Sequence, residues 1–164
     1  MTRWQRHLIA ASGYLELGML EEAEREMSEI PDGEKSIAEV IGFRVHLAMR
    51  AGKWETGAEL ARHLVGIDPG QAEWWINHAF CIRRAESVAH AEEILLRAIE
   101  LHPNEALIHY NLGCYACVTG RLDLAKQRLA SAISRDPDIR KLVSEDDDLK
   151  PLWDWMASQG DSIR

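Results

Sequence analysis

Apolar side chains recur at helical spacing in the last third of the chain. Ile108, Leu112, Tyr115 and Ala116 fall on one stripe, and Leu122, Ala125, Leu129, Ala132 and Ile133 on a second. Gly120 separates the two as a helix stop, and the Asp136-Pro137 pair ends the second. The pattern predicts a helical hairpin, and it repeats. Pro69, Pro103 and Pro137 lie 34 residues apart, each after a polar residue at a predicted helix end. The same interval aligns Gly18, Gly52, Glu86 and Gly120, and it aligns the small residues Ala23, Gly57, Ala91 and Ala125. A third column reads Ala11, Val45, Ala79 and Gly113. Small residues recur where two helices must approach closely. Four two-helix units follow, at about 4–37, 38–71, 72–105 and 106–139.

These units resemble the tetratricopeptide repeat, whose 34-residue period carries W-x2-L-G-x2-Y, then A-x3-F, then P. The fourth unit matches through His109, Leu112-Gly113, Ala116, Ala125, Leu129 and Pro137. The third matches through Trp75, His78-Ala79, Ile82, Ala91, Leu95 and Pro103. The second is looser. In the first, Ala10-Ala11, Tyr14, Ala23 and Met27 fit, but the stretch IPDGE replaces the end of its second helix, which should stop near Ile30. The resemblance implies an all-α fold, an α-α superhelix of four helical hairpins within one domain spanning 1–164.

Residues 140–164 do not continue the period. They read as a short helical turn, an acidic run and an amphipathic helix, with Asp148 as its cap and Pro151 in its first turn. Leu152, Trp155 and Met156 should cover the open end of the fourth hairpin, because a stack otherwise exposes an apolar face there. The stretches YNLGCYAC and DDDLKPLW together resemble small bacterial tetratricopeptide proteins, which implies a bacterial source.

Charge narrows the partners. With 27 Asp+Glu against 19 Lys+Arg the net charge is -8, a poor match for nucleic acid. No apolar run approaches the roughly 18 residues of a membrane span. Arg3 and Arg6 precede a short apolar patch, but Glu16 interrupts it, so a secretory leader is not expected. Three cysteines are odd in number and too few for a disulfide framework, which suits a reducing, cytoplasmic setting.

Cys114 and Cys117 form Cys-x-x-Cys and invite a metal or redox reading. Two thiolates do not close a tetrahedral zinc site, and redox pairs normally open a helix in a βαβ setting, whereas this pair is mid-helix. Small buried fillers are the simpler account. The histidines fall at different places in the repeat, and no paired carboxylates or phosphate loop accompany them. The acidic run Glu145–Asp148 lacks the alternation and glycine of a calcium loop. No enzyme, cofactor or metal is expected.

Tetratricopeptide proteins bind partners in a concave groove lined by first helices, and the resemblance places this chain's groove positions residue by residue. They are Gln5, Leu8, Ser12, Leu15 and Glu16; Glu39, Gly42, His46, Met49 and Arg50; Glu73, Ile76, Phe80, Arg83 and Arg84; and Leu107, Tyr110, Cys114, Cys117 and Val118. Asn77 and Asn111 are counted with these groove residues, and of the carboxylate clamp of heat-shock co-chaperones only Asn77 matches, in a frame shifted by one repeat, so that clamp is absent. The expected function is a non-enzymatic adaptor or scaffold whose protein or peptide partner carries apolar and acidic groups. A small chaperone for a secreted or assembling client is the alternative, and Trp74 and Trp153 leave room for self-association. Arg50 either awaits such a ligand or pairs with Glu16, one repeat earlier.

Overall fold

The computed structural model describes residues 1–159; the last five residues of the expected capping segment lie outside the described residues. In chain order the helices are α1 (Arg3–Glu16), α2 (Leu20–Ser28), α3 (Ala38–Arg50), α4 (Trp54–Ile67), α5 (Ala72–Ala85), α6 (Val88–Leu101), α7 (Ala106–Val118), α8 (Leu122–Arg135), α9 (Ile139–Glu145) and α10 (Trp153–Gln159). Two 3-10 segments, Asp32–Glu34 and Asp147–Leu152, complete the regular structure, and no strand occurs among the described residues. The fold is all-α. Its residues cluster into two compact units, Met1–Ala91 and Glu92–Arg164.

Glycine sets three of the turns between paired helices. Gly18, Gly52 and Gly120 have φ of 74°, 68° and 79°, the left-handed region that side chains avoid. The next residue's N–H then reaches a carbonyl five residues back: Met19 to Tyr14 at 2.9 Å, Lys53 to Ala48 at 2.9 Å and Arg121 to Ala116 at 2.8 Å. The fourth member of the column is Glu86. It keeps a negative φ of -129°, α5 runs on to Ala85, and Ser87 N–H still reaches the Ile82 carbonyl at 3.1 Å.

In the first unit, Ala11, Ala23, Met27, Ile30, Val40 and Leu47 form one buried cluster across α1, α2 and α3. Ile41, Val45, Ala61 and Leu64 form a second across α3 and α4. Helix α2 ends at Ser28; Pro31 disfavours α-helical backbone at Ile30, whose side chain is nonetheless fully buried. The close approach of α4 to α5 depends on Gly57, where an added Cβ would lie 2.8 Å from Cys81 Sγ. Cys81 therefore fills the space that Gly57 leaves.

In the second unit α7 packs on α8, with Gly113 against Leu129: an added Cβ there would meet the leucine at 3.0 Å. Two side chains 34 residues apart make the same bond, one in each unit. Trp75 Nε1 donates to the Pro69 carbonyl at 2.9 Å, and His109 Nε2 donates to the Pro103 carbonyl at 2.8 Å. Each fastens a first helix to the proline loop before it.

The tail corrects one expectation in detail. The capping side chain is Asp146, whose Oδ1 accepts the Asp148 N–H at 2.9 Å. Pro151 lies inside the 3-10 segment rather than in the first turn of α10. Its ring disfavours α-helical backbone at the preceding Lys150, and α10 opens only at Trp153. Leu149, Leu152 and Met156 are buried. Trp155 is half-buried with the Lys126 ammonium 5.9 Å from its ring, and Trp153 Nε1 donates to the Val143 carbonyl at 2.9 Å.

Candidate functional site

Six groove positions of the first unit, Leu8, Ser12, Glu39, Gly42, His46 and Glu73, come together on α1, α3 and α5. Leu8, Ile9 and Ser12 from α1, Glu39, Gly42, Phe43 and His46 from α3, and Glu73 and Trp74 from α5 line an open depression of about 390 Å³. Its shape depends on Gly42. A Cβ at that position would stand 2.7 Å from the outer edge of the Trp74 ring, so the glycine lets the indole close on α3. Leu8 and Phe43 are half-buried and lean on the core of α1, α2 and α3. Glu39 and Glu73 are exposed, so the rim of the depression is polar.

One polar group crosses from α3 to α5. His46 Nε2 lies 3.0 Å from Glu73 Oε1 and 3.4 Å from Asn77 Nδ2. A single ring nitrogen cannot serve both as donor and as acceptor, and the shorter distance favours N–H donation to the carboxylate. With side chains 44% and 58% exposed, this pair contributes under about 1 kcal/mol and is readily rearranged.

Further along α5, Arg84 is stacked. Its guanidinium carbon lies 3.5 Å from the Phe80 ring centroid and 5.1 Å from that of Trp54, and its Nη1 donates to the Phe80 carbonyl at 3.2 Å. Trp54 and Phe80 meet edge to face at 6.0 Å. Arg50 is exposed, and Glu16 and Arg50 form no ion pair among the described residues. Leu15, Met49, Ile76 and Arg83 are half-buried. Trp54 and Trp74 belong to this surface although neither falls on a groove position; two adjacent tryptophans, Trp74 and Trp75, on a helix that can bury only one of them were the available signal.

The fourth-repeat positions behave differently. Tyr110, Cys114 and Cys117 are 8%, 2% and 5% exposed, so the expectation that they stand open to a partner is corrected: the chain's own 3-10 segment covers them. Tyr110 Oη donates to Asp146 Oδ2 at 2.6 Å, and Cys114 Sγ lies 3.6 Å from the same oxygen. Asn111 is half-exposed and donates to the Leu107 carbonyl at 2.9 Å.

Electrostatics keeps all three thiols protonated. Burial pushes Cys81 up to about 11, against the opposing charge of Arg84. Burial, then the Asp146 carboxylate, raises Cys114, while burial and the charges of Asp148 and Asp146 raise Cys117. Tyr110 is raised by burial and by its bond to Asp146. Thiols held this way are poor nucleophiles and poor metal ligands. Among the described residues no group of three or more His, Cys, Asp or Glu is placed to hold a metal ion, and no helix is long and apolar enough to cross a membrane.

Comparison with known proteins places the fold. Residues 94–127 match the profile of the Tetratricopeptide repeat. No curated protein sequence matches the chain. Among solved structures it is similar to MamA 41-end from Desulfovibrio magneticus RS-1, at 16% identity over 99% of this chain and 98% of that one, with a TM-score of 0.73. It is also similar to a thermophilic tetratricopeptide protein of Thermus thermophilus, TTC0263, at 17% identity, 93% and 82% coverage and a TM-score of 0.73. YrrB, described as a tetratricopeptide protein with an unusual peptide-binding site, aligns at 14% identity, 93% and 84% coverage and a TM-score of 0.65. The chain is a protein of tetratricopeptide-repeat fold. At these identities the structural likeness speaks for the fold alone.

Proposed function

We propose that the chain is a non-enzymatic, cytoplasmic adaptor that binds an extended peptide or helix of a partner protein on the inner face of α1, α3 and α5. The observation that carries this reading is the depression over Gly42, with half-buried Leu8, Phe43 and Trp74 beside polar Ser12, His46 and Glu73. Apolar surface with polar groups at its rim is the usual form of a recognition site. Exposed Arg50, which makes no ion pair among the described residues, supplies charge for an acidic group of the ligand. The peptide-binding site ascribed to YrrB, a protein of the same fold, supports the choice of ligand class.

Peptides selected by display against the full chain provide the probe. Ser12→Arg fills the depression and Arg50→Glu reverses the charge. Each should weaken a selected peptide at least about tenfold with unchanged helicity, since each removes on the order of 1.4 kcal/mol. An acid-to-lysine change in the peptide should restore affinity for the Arg50→Glu chain. Undiminished binding to both variants would place the ligand elsewhere and overturn the proposal.

A further inference from the structure

We infer that the inner face of α7 is a docking site for a segment of the form Asp-x-x-Leu-x-x-Leu, which the chain fills with its own Asp146, Leu149 and Leu152 and for which a partner segment of the same chemistry competes. The inference concerns α7 and the tail, and it does not rest on the depression over α1, α3 and α5.

The tail presents itself to α7 as a ligand does. A 3-10 segment turns once every three residues, so Asp146, Leu149 and Leu152 share one side of Asp147–Leu152 and its cap. Leu149 and Leu152 are 0% and 1% exposed, which makes them the apolar anchors. Asp146 is the polar anchor. Its Oδ2 takes the Tyr110 hydroxyl at 2.6 Å and faces Cys114 Sγ at 3.6 Å, while its Oδ1 takes the Asp148 N–H at 2.9 Å. Every one of these donors is neutral, and Asp146 forms no ion pair among the described residues. Asp146 is half-buried, and a carboxylate with no cation opposite it is held less firmly than an ion pair of similar burial. The latch is specific in shape and weak in charge, which suits release.

The seat is made for this occupant. At the register positions of Tyr110, Cys114 and Cys117, α5 carries Ile76, Phe80 and Arg83, and these stay half-exposed. On α7 the second and third positions shrink to cysteine, which lets a backbone as close as the 3-10 segment approach, and the first becomes a tyrosine whose hydroxyl reads the carboxylate. Displacing the tail would return these three positions to the half-open state of their counterparts.

The test uses the full chain and a fluorescein-labelled peptide of residues 144–156 as probe. Asp146→Ala removes the cap and the acceptor of Tyr110, so it should raise the opening of the tail by about tenfold to a hundredfold. The peptide should then bind this variant at least about tenfold more tightly than it binds the unaltered chain. Adding Cys114→Phe, which fills the seat, should cancel the gain. Deuterium exchange of the unaltered chain gives an independent reading: the amides of residues 147–152 should exchange through an opening that leaves α7 and α8 protected. If Asp146→Ala does not fold, Asp146→Asn keeps the cap oxygen for the Asp148 N–H and removes only the carboxylate that accepts from Tyr110, leaving the seat on α7 unaltered. Equal peptide binding by altered and unaltered chains, or exchange of the tail only together with α8, overturns the inference.

Discussion

Gly57 and Cys81 offer a direct measure of how the first unit is packed. A Cβ added at Gly57 lies 2.8 Å from Cys81 Sγ, 3.7 Å from Ala48 Cβ and 3.8 Å from Cys81 Cβ, so Cys81 Sγ is the one severe obstruction. Gly57→Ala gains about 1 kcal/mol of helix propensity within α4 but overpacks a buried contact, a cost of about 1–3 kcal/mol. The net expectation is a loss of about 0–2 kcal/mol. Cys81→Ala alone removes a fully buried sulfur and leaves a small void, costing about 1–2 kcal/mol. In the double variant the methyl introduced at position 57 occupies the space vacated by Sγ while the propensity gain is kept. The total should then return to within about 1 kcal/mol of the parent. Urea unfolding followed by circular dichroism yields the four stabilities of the cycle. The contact account requires the double variant to be at least about 1 kcal/mol more stable than the sum of the singles. Additive losses would refute it, because they would mean that α4 and α5 are not held apart by this one atom.

Two further outcomes follow from the buried titratable groups. Burial holds the His109 pKa below its ordinary 6.5, and its Nδ1 is buried without a partner while Nε2–H donates to Pro103. Between the folded value and 6.5 the unfolded chain takes up a proton that the folded chain refuses, so stability should fall as pH drops through that window. His109→Gln keeps an N–H donor without titrating, so its urea midpoint should shift less than the parent's between about pH 7.5 and about pH 5.5; equal shifts would remove His109 as the cause. With Cys81 pushed up to about 11, roughly one thiol in a thousand is ionised at about pH 8. A thiol reagent should therefore leave Cys81, Cys114 and Cys117 unmodified in the folded chain and react with all three on unfolding. Rapid modification of any of them in the native state would contradict their burial.

What repeats in the chain was legible, and what happens once was not. The 34-residue spacing found helix starts, glycine turns and small-residue contacts because each depends on neighbours within a unit or one unit away. It even contains ion pairs that the apolar pattern does not announce: Glu24 with Lys53 and Glu92 with Arg121 are the same pair two periods apart. The bond from Trp75 to the Pro69 carbonyl predicts the role of His109, since an imidazole N–H can replace the indole N–H at that register. The roles of Trp54 and Arg84 were hidden for a different reason. Their ring contact joins the N-terminus of α4 to the C-terminus of α5, and no spacing rule encodes how two helix ends meet.

The acidic run reads as a solvated loop when taken alone, yet a signal against that reading was present in α7. Ile108, His109, Tyr110, Leu112, Cys114, Tyr115 and Cys117 point in every direction around one helix, and a helix apolar all round must be covered all round. A hairpin partner covers only one side. Within the second unit the covering chain beyond α8 is α9, the 3-10 segment and α10, and of these the 3-10 segment lies against Tyr110 and Cys114. The same reasoning accounts for Cys-x-x-Cys. Residues one helical turn apart share a face, and on that face the register positions of Phe80 and Arg83 would carry side chains too long for a segment seated that closely. Cysteine at both places keeps the face apolar and shallow, and raised thiol pKa values are what a dry seat beside two aspartates produces. The pair is therefore set by size and burial, and its chemical reactivity is suppressed by the same contact that gives it a purpose.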